Sequence, residues 1–206
     1  MASVYFKIMA RPREFDTTVL LDRVSQIFLE TGLQLTSMRQ LEAETGVKQA
    51  SLYNVFGSKE GLFLAAFDHY TQLIASAQCA YLDDRGLDGI ENFVKAIVSP
   101  DSPLPLPHYG CLIVNTALVA QDAGPEIKSR VQEFRQQMHA RFVGALTRAK
   151  SNHELKPGLK LDQCAEFLLS AVWGIFVTIR LADNDQTVGQ PAAQTLVKTV
   201  RDWRLS

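Results

Sequence analysis

Between Lys48 and Asn54 the chain sets Lys48, Gln49, Ala50, Ser51, Tyr53 and Asn54 around one strongly apolar residue, Leu52. Side chains of these types do one kind of chemistry well, which is hydrogen bonding to flat polar edges and to phosphate oxygens. Gln49 can make paired hydrogen bonds to adenine, Lys48 can reach guanine acceptors or a phosphate, and Ala50 can touch a thymine methyl. Tyr53 and Lys59 suit phosphates. Lys59 falls in the first turn of a helix that Ser58 can cap, where free N–H groups and the positive dipole end favour an anion. Thr36 and Ser37 have the same setting one helix earlier. A second candidate is Cys111, preceded by His108 and Tyr109. At a helix N-terminus its thiol pKa can fall, giving a thiolate that reacts with oxidants or electrophiles; a small, inert core residue is the other reading. As an enzyme nucleophile with His108 as base, Cys111 lacks a visible third group, oxyanion motif or cofactor loop. His69, His139 and His153 have no ligand spacing. Cys79 and Cys164 read as core, and the three cysteines form no CxxC pair. No metal, cofactor or disulfide framework is expected.

The elements that must position these residues are helices throughout, because apolar residues recur at three and four and the period-two runs of strands are missing. About nine segments are expected. The first, Asp16 to Thr31, presents Leu20, Val24, Ile27 and Phe28 on one face and stops at Gly32. The second, Ser37 to Glu44, has the S-x-x-Q spacing of a capping box in Ser37 and Gln40 and ends at Gly46. The third carries Lys48 to Asn54. The fourth starts at Ser58 and runs inward along Leu62, Ala66, Phe67, Tyr70, Ile74, Ala77 and Tyr81, joining two subdomains. A modest helix over Gly89 to Val98 precedes SPDSPLPLPHYG, which holds four of the eight prolines and reads as loop. Helices follow over Cys111 to Gln121, Pro125 to Ser151, Asp162 to Leu181 and Pro191 to Trp203. The Asp162 to Leu181 segment is apolar almost all round (Phe167, Trp173, Phe176), so it needs burial on two sides, and a second subunit is the economical second side. The dimer face is therefore expected at Phe167, Trp173, Phe176, Leu196, Val200 and Trp203. Glu166 and Arg180 on the same helix can serve the dimer rim or a pocket.

The composition, 206 residues with 47% hydrophobic and 21% charged, is that of an ordinary globular chain. A formal net charge of −1 does not advertise nucleic acid, but the distribution is local. Lys7, Arg11 and Arg13 precede the first acidic residue, giving an arm of +3 that can lie along a nucleic-acid backbone. The N-terminus has no apolar run suited to a signal peptide. The most apolar segment, Phe167 to Ile179, has 13 uncharged residues, below the roughly 17 to 25 of a membrane span. A reducing cytoplasm is the expected setting.

Two short helices meeting at a glycine, behind a longer helix and a basic arm, form the arrangement of a helix-turn-helix reader. The stretches RPREFD, TSMRQL and TGVKQASLYNVFGSKEGLF resemble those of the tetracycline-repressor-like (TetR) transcriptional regulators, with a weaker likeness at YGCLIVNTAL. The resemblance implies an all-α homodimer. Residues 1–57 would be the helix-turn-helix DNA-binding domain with its basic arm, and residues 58–206 a helical bundle for effector binding and dimerisation. It implies Thr36, Tyr53 and Lys59 on phosphates, and Lys48, Gln49 and Ser51 near bases. The reading is a DNA-binding regulator, a repressor released from a palindromic operator by a small molecule or a redox or electrophile signal; the alternatives are an activator, an enzyme using Cys111, and an interaction protein that no longer binds DNA. Aromatic residues around the Pro-rich loop, among them Tyr109 and Trp173, are individually core and collectively able to line a hydrophobic effector pocket. The resemblance at GCL implies a cysteine that can serve as a sensor, as in some relatives. Two positions depart from the family pattern: Glu42, usually a small residue where the two short helices cross, and Val55, often an aromatic or His that donates to phosphate.

Overall fold

The computed structural model describes residues 15–102, 104, 111–119, 124–182 and 185–205. Within them the chain is helical, with one isolated antiparallel bridge between Leu155 and Arg204. The helices are α1 (Thr17–Leu35), α2 (Met38–Thr45), α3 (Gln49–Phe56), α4 (Lys59–Leu82), α5 (Gly86–Ile97), α6 (Leu112–Val119), α7 (Pro125–Ser151), α8 (Leu161–Leu181) and α9 (Gln190–Asp202), with a 3₁₀ turn at Gln186–Gly189 before the last. Gly32 leaves helical geometry (φ 76, ψ 162), so α1 breaks where the glycine predicts and then adds one short turn to Leu35. Arg11 lies outside the described residues, as do His108 and Tyr109.

α1 packs against the first turns of α4. Leu20, Val24, Ile27 and Phe28 meet Leu62, Phe63, Ala66 and Phe67 there, and the Phe28 and Phe63 rings stand edge to face at 5.0 Å. Ala66 is small enough for the buried Ser25 hydroxyl to reach its carbonyl at 3.0 Å. α2 and α3 lean on this pair through Met38, Leu41 and Leu52. The half of α4 beyond Tyr70 enters the bundle of α5 to α9, where Phe93 of α5 sits between Tyr81 and Phe142.

α8 is 21 residues long and is, by length and composition, the one described helix able to cross a membrane, which the count of 13 uncharged residues understates. Its buried residues instead pack against α6, α7 and α9. Its other face leaves Phe167 and Leu181 exposed.

The expected dimer residues divide here. Leu196 and Val200 of α9 are buried inside this protomer, as is Phe176 of α8, so these three do not form an outer face. The reason is α5: its carboxylate Glu91 is nearly buried, and Arg201 of α9 reaches it at 2.8 Å, so α9 lays its apolar stripe on α5 and α8. Phe167 stays exposed, Trp203 is half-buried against it at 6.2 Å, and Trp173 is half-buried.

Candidate nucleic-acid interface

The two short helices are set by local chemistry. Ser37 accepts the Gln40 N–H at 3.1 Å and starts α2. The Gln40 side chain does not return to complete a capping box; it donates to Glu44 at 3.0 Å, beside the Arg23 guanidinium of α1, which reaches the same carboxylate at 2.9 Å. Gly46 ends α2 in the left-handed conformation (φ 71), which a side chain would resist. α3 then buries only Leu52, 1% exposed. Ser58 accepts the Gly61 N–H at 2.9 Å and starts α4. Gly61 is required there, since a Cβ would stand 2.1 Å from the Phe56 carbonyl oxygen.

The displayed surface follows. Lys48, Ala50, Tyr53 and Asn54 are exposed, with Gln49, Ser51 and Lys59 partly covered. Val55 is exposed beside them and offers no donor. Lys59 donates to the Thr36 carbonyl at 3.0 Å, which ties the first residue of α4 to the residue before the α2 cap. An ammonium has three donors, so this bond leaves two for an anion.

Thr36 itself is not a surface contact. It is 1% exposed, and its hydroxyl donates to the Gly32 carbonyl at 2.6 Å and lies 2.5 Å from the Thr31 hydroxyl. The Thr36 hydroxyl is therefore turned inward, where it closes the break in α1, and its backbone carbonyl holds Lys59.

Glu42 finds a partner that the sequence left unnamed. The Gln49 amide donates to its carboxylate at 2.8 Å, tying the first residue of α3 to α2. One N–H and the carbonyl oxygen of Gln49 remain for a base edge.

In the bundle, Cys111 and Trp173 line one small cavity with Gln78, Phe134, Met138 and Phe176. Its free volume of about 20 Å³ holds little more than a water. Cys111 is 4% exposed, immediately before α6. Burial pushes its thiol up, and the N–H groups of Val114 and Ile113 pull it down by less; the neighbouring Tyr70 hydroxyl is also pushed up by burial. Of the two readings of Cys111, the burial favours the inert core residue over the thiolate, because the low-dielectric surroundings outweigh a helix of eight residues. The cysteine with a guanidinium at its sulfur is Cys79, which Arg141 contacts from α7. His69 bonds Asp22 at 2.6 Å, and His139 faces Asp162 and Glu166 from another helix.

The comparisons with known proteins fall on the same residues. Residues 20–66 match the tetR family of bacterial regulatory proteins, and residues 86–197, more than half of the chain, match the tetracyclin repressor-like C-terminal domain. The chain belongs to the TetR family. It is a DNA-binding transcriptional regulator, and α2 and α3 are its helix-turn-helix. Among curated TetR-type relatives, the HTH-type transcriptional repressor ComR of Escherichia coli is 26% identical over 197 residues, covering 92% of this chain and 91% of that protein. A TetR regulator from Chloroflexus aurantiacus shares the fold with a TM-score of 0.80 at 24% identity, covering 91% of this chain and 96% of that one. A cysteine mutant of the TetR-family regulator CifR, complexed with 26bp double-strand operator DNA, has a TM-score of 0.72 at 22% identity, covering 94% of this chain and all of that one.

Proposed function

We propose that this TetR regulator is a cytoplasmic homodimer that represses transcription from a roughly palindromic operator and is released by a small molecule entering its C-terminal bundle. The observation that carries it is α3, which buries Leu52 and turns Lys48, Ala50, Tyr53 and Asn54 outward. A major groove about 12 Å wide admits one such helix. Lys48, Gln49 and Ser51 are assigned to bases, with Tyr53, Ser37 and Lys59 on phosphates; Arg11 is assigned to the backbone from its sequence position. In a dimer the two α3 helices would lie about one turn of DNA apart or a small multiple of it. The exposed face of α8, with Phe167 and Leu181, is the favoured seat of the second subunit.

Release follows from the Lys59 latch. A shift of α4 drags the Thr36 carbonyl, and with it the start of α2, so a change in the bundle alters the spacing of the recognition helices. The buried thiol of Cys111 favours the small-molecule signal over the redox one and weakens the reading of Cys111 as an enzyme nucleophile. The ComR name, a transcriptional repressor, supports repression over activation. The test is a mobility shift with DNA from the protein's own upstream region at low salt: a retarded complex titrating as one dimer per site is expected, and folded protein that binds none of it overturns the proposal.

A further inference from the structure

The end of α1 and α6 enclose a cleft of about 320 Å³, separate from the cavity around Cys111. Its floor is apolar and buried, with Phe28 from α1, Phe63 from α4 and Leu112 from α6. Its rim holds Leu35, Leu118 and Val119, which are 84%, 64% and 52% exposed. Three large apolar side chains left in water around one opening are a standing cost that a ligand removes. Arg180 of α8 also lines the cleft, and its guanidinium donates to the Glu30 carbonyl at 3.1 Å. Among the described residues no carboxylate pairs with it. With one bond made, the remaining donors can still take a carboxylate in a two-point grip.

We propose that this interdomain cleft binds an amphipathic carboxylate, its apolar chain lying between Phe28, Phe63 and Leu118 and its carboxylate resting on Arg180. The charge selects an acid over an alcohol or an amine, and the apolar floor selects it over a small polar anion. The volume is at the low end for ligand sites, which suits a medium-length chain or a single aromatic acid. The location gives the ligand leverage. Gly32 to Leu35 form one wall and run directly into Thr36, whose carbonyl holds Lys59, so occupancy changes how the end of α1 sits on α6 and reaches the start of α2. Binding at the cleft stands by itself; its effect on DNA rests on the operator reading above.

The test uses the full chain and calorimetric titration with decanoate and with 1-decanol. Decanoate is expected to bind about tenfold or more tightly than decanol, and Arg180→Gln to erase that advantage while Arg180→Lys keeps part of it. Leu118→Glu, at an exposed position that leaves the fold intact, is expected to weaken decanoate by about tenfold through the carboxylate set at the rim. Val114→Ile, which adds one methyl group at the cavity around Cys111, is expected to leave decanoate binding unchanged. Absence of decanoate binding, equal affinity for acid and alcohol, or loss with Val114→Ile in place of Leu118→Glu overturns the site. Mobility shifts with and without decanoate read the second step. Arg180-dependent binding that leaves operator affinity unchanged supports the site and overturns the coupling, and failure of the unliganded protein to bind operator overturns the operator reading while the calorimetry still decides the site.

Discussion

Two short helices of this chain use their residues in opposite ways. α3 spends eight residues to bury one, Leu52, whereas α5 buries nine of its twelve, including Leu87, Ile90, Phe93 and Val94. α5 lies against α4, α7 and α9 and is sealed by the nearly buried Glu91 under Arg201. α3 rests on α2 and α4 along one edge. The difference separates two kinds of information in the sequence: α5 specifies a fold, and α3 specifies what the fold meets. Substitutions in the two helices should therefore report on different quantities.

The largest expected effect is on the α5 side. Ile90→Ala removes a side chain with no exposure and should cost about 2–5 kcal/mol of stability, read by urea unfolding, while the order of preference among operator sequences stays the same. The reverse experiment is Lys48→Ala. Its exposed side chain makes little for the fold, so unfolding should move by less than about 0.5 kcal/mol, yet operator affinity should fall by about 1–3 kcal/mol with a smaller salt slope if the contact is to phosphate. A variant of either helix that moved both quantities equally would erase the distinction.

Alkaline pH probes the buried side with no mutation. Tyr70 and Cys111 both hold their protons more tightly in the folded chain than in the unfolded one, because burial penalises their charged forms. The stability they contribute is intact below the unfolded thiol value of 9.0 and is lost as pH rises toward the folded values, by at most about 1.4 kcal/mol per pH unit for each group. Thermal melts between pH 8 and pH 11 should show that decline, and Cys111→Ala should flatten its early part. A Cys111 that is alkylated at neutral pH as fast as the half-buried Cys79 would contradict it.

The helices and the reading face were legible because both are written locally. Gly32, Ser37, Gly46 and Ser58 each set a helix end through their own backbone or hydroxyl, and the outward set on α3 followed from counting apolar residues. The errors came from partners distant in sequence. The inward turn of the Thr36 hydroxyl could not be read, because nothing nearby reveals Thr31 and the break in α1 folding over it. Leu196 and Val200 looked like a dimer face because the α5 surface that covers them is set by residues about a hundred positions away. For Cys111 both readings stayed open in the sequence, because the burial that favours the core residue depends on Tyr70 and the packing of four helices. Arg180 could be read as a pocket or rim group, but not which of the two, because the walls of its cleft come from α1, α4, α6 and α8.

The smallest expected effect sharpens the contrast from inside α3. Glu42 and Gln49 form a hydrogen bond between the two helices of the motif, and a bond of this kind contributes about 0.5–1.5 kcal/mol, more when one partner is charged. Glu42→Ala should therefore change stability little. Its effect should appear in recognition, since the freed Gln49 amide can turn both its groups to an adenine, where the tethered side chain presents its carbonyl oxygen and one N–H from a set direction. Selection of operator variants should then show a sharper or relocated adenine preference at a single position in each half-site, with the other positions unchanged. Glu42→Gln keeps an acceptor for the Gln49 amide and should restore the original preference. If Glu42→Ala instead weakened all sequences alike, Glu42 would belong with α5, to the residues that hold the fold.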